Sequence, residues 1–346
     1  MRELLEKIYR LNSIAIVGME KNVGKTTTLN YLIEKANKND RLGLTSIGID
    51  GEKKDQVTGT EKPTLYLPKG TIIASAKKSY LSSDITKEIL STTGIQTPMG
   101  EVILFKALSD GYVELMGPSI NKYLREVIAQ LKVLGCDLVI VDGALNRSST
   151  ASPAIAEGVI MATGASVSTT MSEVVNQTAH KLSLLQIDYI RDENSRKVVE
   201  EALIKSKVSF MKENNLYRSN EATAIGAEKT IITALEGGAD GIIINGMVGD
   251  RLVEHLINQR ISLTGKRIYV EDGSKLFLNE DNFKRLKLKG MEIVALNPIN
   301  ILMVTVNPKA PEGYSFNSQE LCQLIHCKTK LPVLDVMRNL GVGLKE

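Results

Sequence analysis

The chain has 346 residues, of which 43% are hydrophobic and 24% charged, and its 43 Lys+Arg against 40 Asp+Glu leave a net charge of +3. Such a composition excludes an intrinsically disordered or collagen-like chain, and the length allows one elaborated α/β domain or two smaller ones. Charges of both signs are mixed with no basic tail or stripe, which argues against nucleic acid as a partner.

Leu4, Leu5, Ile8 and Leu11 fall at helical spacing, and Ser13-Ile-Ala-Ile-Val17 reads as a buried strand. A glycine turn follows. Leu29, Leu32, Ile33 and Ala36 then predict a helix over 26–38, completing a βα unit. A second strand is expected over 42–49, ending at Asp50-Gly51. Apolar runs at 71–74, 102–108 and 112–116 predict strands, the last two joined by Ser109-Asp110-Gly111 as a tight antiparallel hairpin. The spacing of Leu124, Val127, Ile128, Leu131 and Leu134 predicts a helix over 121–134, leading through Gly135 into a strand ending at Asp142. Another strand at 159–162 and a helix over 173–185 follow. Short apolar runs at 241–244, 267–270, 292–296 and 301–306, separated by helical segments, complete the signature of a mostly parallel twisted sheet with flanking helices. The chain is read as one elaborated α/β domain over 1–346 with an antiparallel hairpin insertion. The polar, aperiodic stretch 205–223 reads as a loop or linker where a nucleotide-binding part, 1–203, could separate from a C-terminal α/β part, 224–346.

Between the first strand and helix lies Gly18-Met19-Glu20-Lys21-Asn22-Val23-Gly24-Lys25-Thr26-Thr27-Thr28. Its second half has the pattern of a phosphate-binding P-loop, in which successive backbone N–H groups, a helix N-terminus and a lysine converge on a polyphosphate. Gly24 lets the backbone approach the phosphates. Lys25 reaches β- and γ-phosphate oxygens, the Thr26 hydroxyl coordinates Mg²⁺, and Thr27 lies where a hydroxyl meets the α-phosphate. The usual spacing would put the first glycine at Met19, one residue later than Gly18.

That shift, with an acid two residues after the first glycine, resembles the dethiobiotin synthetase and cobyrinic acid synthase group of P-loop NTPases. The resemblance implies a mostly parallel sheet, protomers often facing each other as a homodimer, and a residue early in the loop, here Glu20, that helps hold the phosphates. A trans-acting lysine of the deviant partitioning ATPases has no counterpart, because Glu20 occupies its place and the lysine is displaced to Lys21. Asp142 ends an apolar strand, where a carboxylate holds Mg²⁺ through water, and Asp142-Gly143-Ala144 is similar to the acid-Gly-Ala turn of that group. Asp50 is the candidate to orient the attacking group or water, or to join the Mg²⁺ shell. A strand-end capping role is the alternative for both acids. The Asn-Lys-x-Asp element of guanine recognition is absent, since Asn121-Lys122-Tyr123-Leu124 lacks the acid. Val306-Asn307-Pro308 resembles the group's adenine-contacting turn, which favours ATP, an ordinary strand-ending turn being the alternative.

The run from Ser13 to Ile33, with 93–101 and 137–147, also looks like the small subunit of the lysine 5,6-aminomutase reactivase. This resemblance covers a minority of the chain. It implies an ATP-dependent factor that acts with a MutS-like ATPase subunit to restore an adenosylcobalamin-dependent aminomutase. An ATP-dependent ligase or kinase of the dethiobiotin synthetase type is the alternative, with Thr97, Glu101 and Asn146 as the nearest candidates for its substrate cleft.

Other signals read as structural. Cys322 and His326 share a helical face with Cys327 nearby, but no second cluster completes a tetrahedral site. His180, Arg147 and the run Lys284-Arg285-Leu-Lys287-Leu-Lys289 fit solvated faces. No apolar run reaches membrane-span length. The charged N-terminus does not suit a signal peptide, and three scattered cysteines suit reduced thiols. A cytoplasmic location is the expectation.

Overall fold

The computed structural model describes residues 1–37, 39–48, 65–143, 151–213 and 215–344. They form two compact units, one of 1–179 with 300–346 and one of 180–299.

The first unit is built on a ten-stranded sheet. Its spatial order is Leu340–Val342, Val333–Asp335, Ile301–Asn307, Gly158–Gly164, Ser13–Gly18, Leu138–Asp142, Leu42–Ser46, Ile72–Ala76, Gly100–Ala107 and Lys87–Thr97. Neighbours pair in parallel from Val333–Asp335 to Ile72–Ala76 and antiparallel beyond both ends of that block. Every residue of Ser13–Gly18 is buried, as expected for a central parallel strand covered on both faces. One face packs Ile14, Ile16, Leu44 and Ile140 against Leu29 and Leu32 of the helix Lys25–Lys35. Ala74, Leu104 and Val139 meet Val127 and Leu131 of the helix Asn121–Val133 in a separate core. Truncating one such residue to alanine costs about 2–5 kcal/mol, because the packed surroundings collapse only partly.

Chain order reverses at Ser13–Gly18. The strands that follow it in sequence lie on one side as far as Leu138–Asp142, and the chain then crosses to Gly158–Gly164 on the other. Such a reversal opens a crevice at the carboxyl ends of the strands.

Two expectations are corrected. The antiparallel hairpin joins Lys87–Thr97 to Gly100–Ala107, not 102–108 to 112–116. Gly111–Val113 pairs instead with Leu65–Leu67; beside the pair the Tyr112 N–H donates to Asp84 Oδ1 at 2.6 Å and the Lys69 N–H donates to Asp110 Oδ1 at 2.7 Å. Lys87–Thr97 is a mostly exposed edge strand with register shifts, so it lacks the apolar run that marks a strand in sequence. The stretch 205–223 is not a linker, for Val208–Lys212 and Asn215–Arg218 form an antiparallel pair inside the second unit. Val208 and Phe210 alternate into its core, while flanking Lys205, Lys207, Lys212 and Glu213 conceal that period of two.

The second unit carries a five-stranded sheet in the order Asn215–Arg218, Val208–Lys212, Gly241–Ile244, Arg267–Val270 and Glu292–Ala295, the last three parallel. No described helix is long and apolar enough to cross a membrane.

Candidate functional site

The loop 19–24 leaves the central strand at the point where strand order reverses. Its start is pinned to the neighbouring strand, since the Met19 N–H donates to the Ala162 carbonyl at 2.9 Å. Asn22 and Gly24 both take left-handed conformations, with φ of 60° and 88°. Asparagine tolerates that region and glycine adopts it without strain. Gly24 caps the helix Lys25–Lys35 and no side chain caps its first turn, so the helix presents its N-terminal amides toward the loop. The aliphatic part and ammonium of Lys25 lie over Gly18: a Cβ placed there would be 2.9 Å from Lys25 Cδ and 3.0 Å from Nζ. A cation therefore lies beside the residue from which the loop departs.

Thr26 and Thr27 follow in the first helical turn and are half-buried. The hydroxyl of Thr28 bonds the Gly24 carbonyl at 3.0 Å and the Thr305 hydroxyl at 2.9 Å. Asp142 lies beside the loop's strand, its register partners being Ile16 on one side and Ser46 on the other. Its own carbonyl accepts from the Ile47 N–H at 3.0 Å, and the Gly143 N–H donates to Ile16 at 2.8 Å, which fixes the strand end. Glu20 is half-buried and Lys21 exposed on the outer loop.

Asn307 and Pro308, far away in sequence, meet this loop. Val23, Gly24, Thr27, Asn307, Pro308 and Arg338 are among the residues lining a cleft of about 390 Å³. That volume falls within the range of small-ligand sites. The turn 335–338 forms another wall, and the sequence reading missed it. Asp335 is buried there, accepting from the Ser318 hydroxyl at 2.6 Å and from the Met337 and Arg338 N–H groups at 3.1 and 3.2 Å. The available signal was an acid ending the apolar pair Val333-Leu334, as Asp142 ends its strand.

Asp50, Asn146 and Arg147 lie outside the described residues. Thr97 and Glu101 are in the antiparallel hairpin, where Thr97 Oγ1 donates to the Gly100 carbonyl at 2.7 Å and Glu101 Oε1 accepts from the Gly94 N–H at 2.8 Å. Cys322 is buried, and His326 Nδ1 bonds the Leu331 carbonyl at 2.7 Å. Among the described residues, no three His, Cys, Asp or Glu side chains group to hold a metal. Burial pushes the Cys136 and Cys322 thiols up to about 11.

No protein-family model matches the chain, and no curated protein matches it at a significant level.

Proposed function

We propose that this chain is a P-loop nucleoside triphosphatase that binds Mg-ATP at 18–28 and works as a reactivating factor for an adenosylcobalamin-dependent aminomutase, alongside a MutS-like ATPase subunit. The observation that carries the nucleotide part is convergence. A doubly left-handed glycine loop with Lys25 folded over Gly18 lies at the reversal point of the sheet, and the same loop forms one wall of a cleft completed by Asn307 and Pro308. The partner part rests on the sequence resemblance alone.

In this reading the N–H groups of 20–25 and the Lys25 ammonium hold the β- and γ-phosphates, Thr27 meets the α-phosphate, and the nucleoside occupies the cleft beside Asn307 and Pro308. Thr26 and Asp142 suit Mg²⁺: a hydroxyl in the first helical turn and a carboxylate on the adjacent strand end supply the oxygen donors that the ion prefers. When bound, the ion neutralises charge on the phosphate oxygens. Water attacks the γ-phosphorus, the bond to the β–γ bridging oxygen breaks, and ADP leaves with phosphate. The protein's contribution is positioning and charge stabilisation, with Asp50 in the role of orienting the water.

The test is steady-state ATP hydrolysis by the whole chain, alone and with an adenosylcobalamin aminomutase and its MutS-like subunit. Stimulation of the wild type but not of Lys25→Ala supports both parts. ATP binding without stimulation removes the reactivase role and turns attention to small-molecule acceptors of the dethiobiotin synthetase type. Absence of ATP binding removes the nucleotide reading altogether.

A further inference from the structure

The strand Ile301–Asn307 does not pair with Ser13–Gly18, because Gly158–Gly164 lies between them. Two of its residues nevertheless hold the loop that the central strand feeds and the first turn of the helix that follows it. The Thr305 hydroxyl shares a buried hydrogen bond of 2.9 Å with Thr28, and Asn307 Nδ2 donates to the Asn22 carbonyl at 2.7 Å. Positions 305 and 307 are two apart, so the strand turns both to one face. Asn22 is one of the two left-handed residues that shape the loop. At its other end the same amide is also engaged, since Asn307 Oδ1 accepts from the Lys309 N–H at 3.1 Å. One side chain thus ties the glycine loop to the turn that walls the cleft.

Building on the nucleotide reading above, we infer that Asn307, with Thr305, is a positioning residue that holds the phosphate loop in register with the nucleoside cleft, and that it acts on the nucleotide through the loop instead of by reading the base. A base reader and a positioning residue differ in what they do to a ligand that has no base. Tripolyphosphate engages only the loop, whereas ATP and GTP engage loop and cleft.

The experiment is calorimetric titration of the full chain and of Asn307→Ala with ATP, GTP and tripolyphosphate, together with hydrogen exchange across 19–28 in the unliganded proteins. Losing one hydrogen bond to the loop should weaken all three ligands by a common factor of about three- to tenfold, leave the ATP-to-GTP ratio unchanged and speed exchange in the loop. Thr305→Val, which keeps shape and removes the other grip, should also speed exchange, and it serves if Asn307→Ala folds poorly. Unchanged tripolyphosphate affinity with a shifted ATP-to-GTP ratio makes Asn307 a base reader and overturns the inference. Unchanged exchange in both variants overturns it as well. A wild type that binds neither ATP nor tripolyphosphate sinks the nucleotide reading, and exchange in the unliganded chain still judges the grip separately.

Discussion

Gly164→Ala tests whether the strand Ile301–Asn307 must approach its neighbour closely for the loop to be held. Gly164 ends the strand Gly158–Gly164, in register with Asn307. Its backbone is extended, at φ 165° and ψ −169°, so alanine meets no conformational barrier and the effect is purely one of space. A Cβ there would run into the Asn307 carbonyl oxygen and lie 2.9 Å from its carbon and 3.0 Å from its nitrogen, where ordinary contact begins at 3.4 Å. The three nearest atoms are all backbone, so no flexible side chain can yield and the strand end must retreat. Overpacking of this kind costs about 1–3 kcal/mol of stability. Retreat also lengthens the 2.7 Å bond from Asn307 to Asn22, so ATP and tripolyphosphate should bind about three- to tenfold more weakly. Urea unfolding gives the first quantity and titration calorimetry the second. A variant matching the wild type in both midpoint and affinity would refute the argument that this approach is close and that the loop depends on it.

Lys25→Ala removes the cation over Gly18 and should lower ATP affinity at least about tenfold, consistent with about 1.5–3 kcal/mol for a charge-assisted hydrogen bond, as read by titration calorimetry. Asp142→Asn should raise the Mg²⁺ concentration needed for half-maximal hydrolysis while leaving metal-free nucleotide binding unchanged; an identical Mg²⁺ titration counts against a metal role. Alkylation with iodoacetamide at pH 8, followed by mass spectrometry, should modify exposed Cys327 and spare Cys136 and Cys322, whose burial pushes them up to about 11. A folded-state value above the unfolded 9.0 means the folded chain keeps protons that the unfolded chain releases. Their contribution to stability is therefore complete below pH 9 and lost as pH rises from 9 toward 11, a fall that the double substitution Cys136→Ala/Cys322→Ala should reduce.

What could be read in advance tracks how local the physics is. The segment 18–28 carries strand, turn, cation and helix start in one contiguous run, so its local structure was legible residue by residue. Asp142 was legible as a strand end because it closes an apolar run. Asn307 and Pro308 were found through resemblance, and the bond from Asn307 to Asn22 was not foreseen, because only the folded sheet brings those positions together. The hairpin was misplaced because Lys87–Thr97 buries little, and apolar periodicity reports burial before it reports strands. Nor does composition mark the join of the two units, since the boundary after Ala179 falls within the helix Met171–Leu185.

That join has a consequence for the order in which the protein is made. Residues 180–299 are an excursion between two stretches of one unit, and Thr305 and Asn307 lie on its far side. A ribosome that has finished the glycine loop must translate the rest of the first stretch and then the whole excursion before it reaches the residues that hold that loop, a delay on the order of tens of seconds at ordinary elongation rates. During that interval the growing chain carries the glycine loop without the side chain that bonds Asn22, so the loop's full set of contacts is among the last things the newborn protein builds.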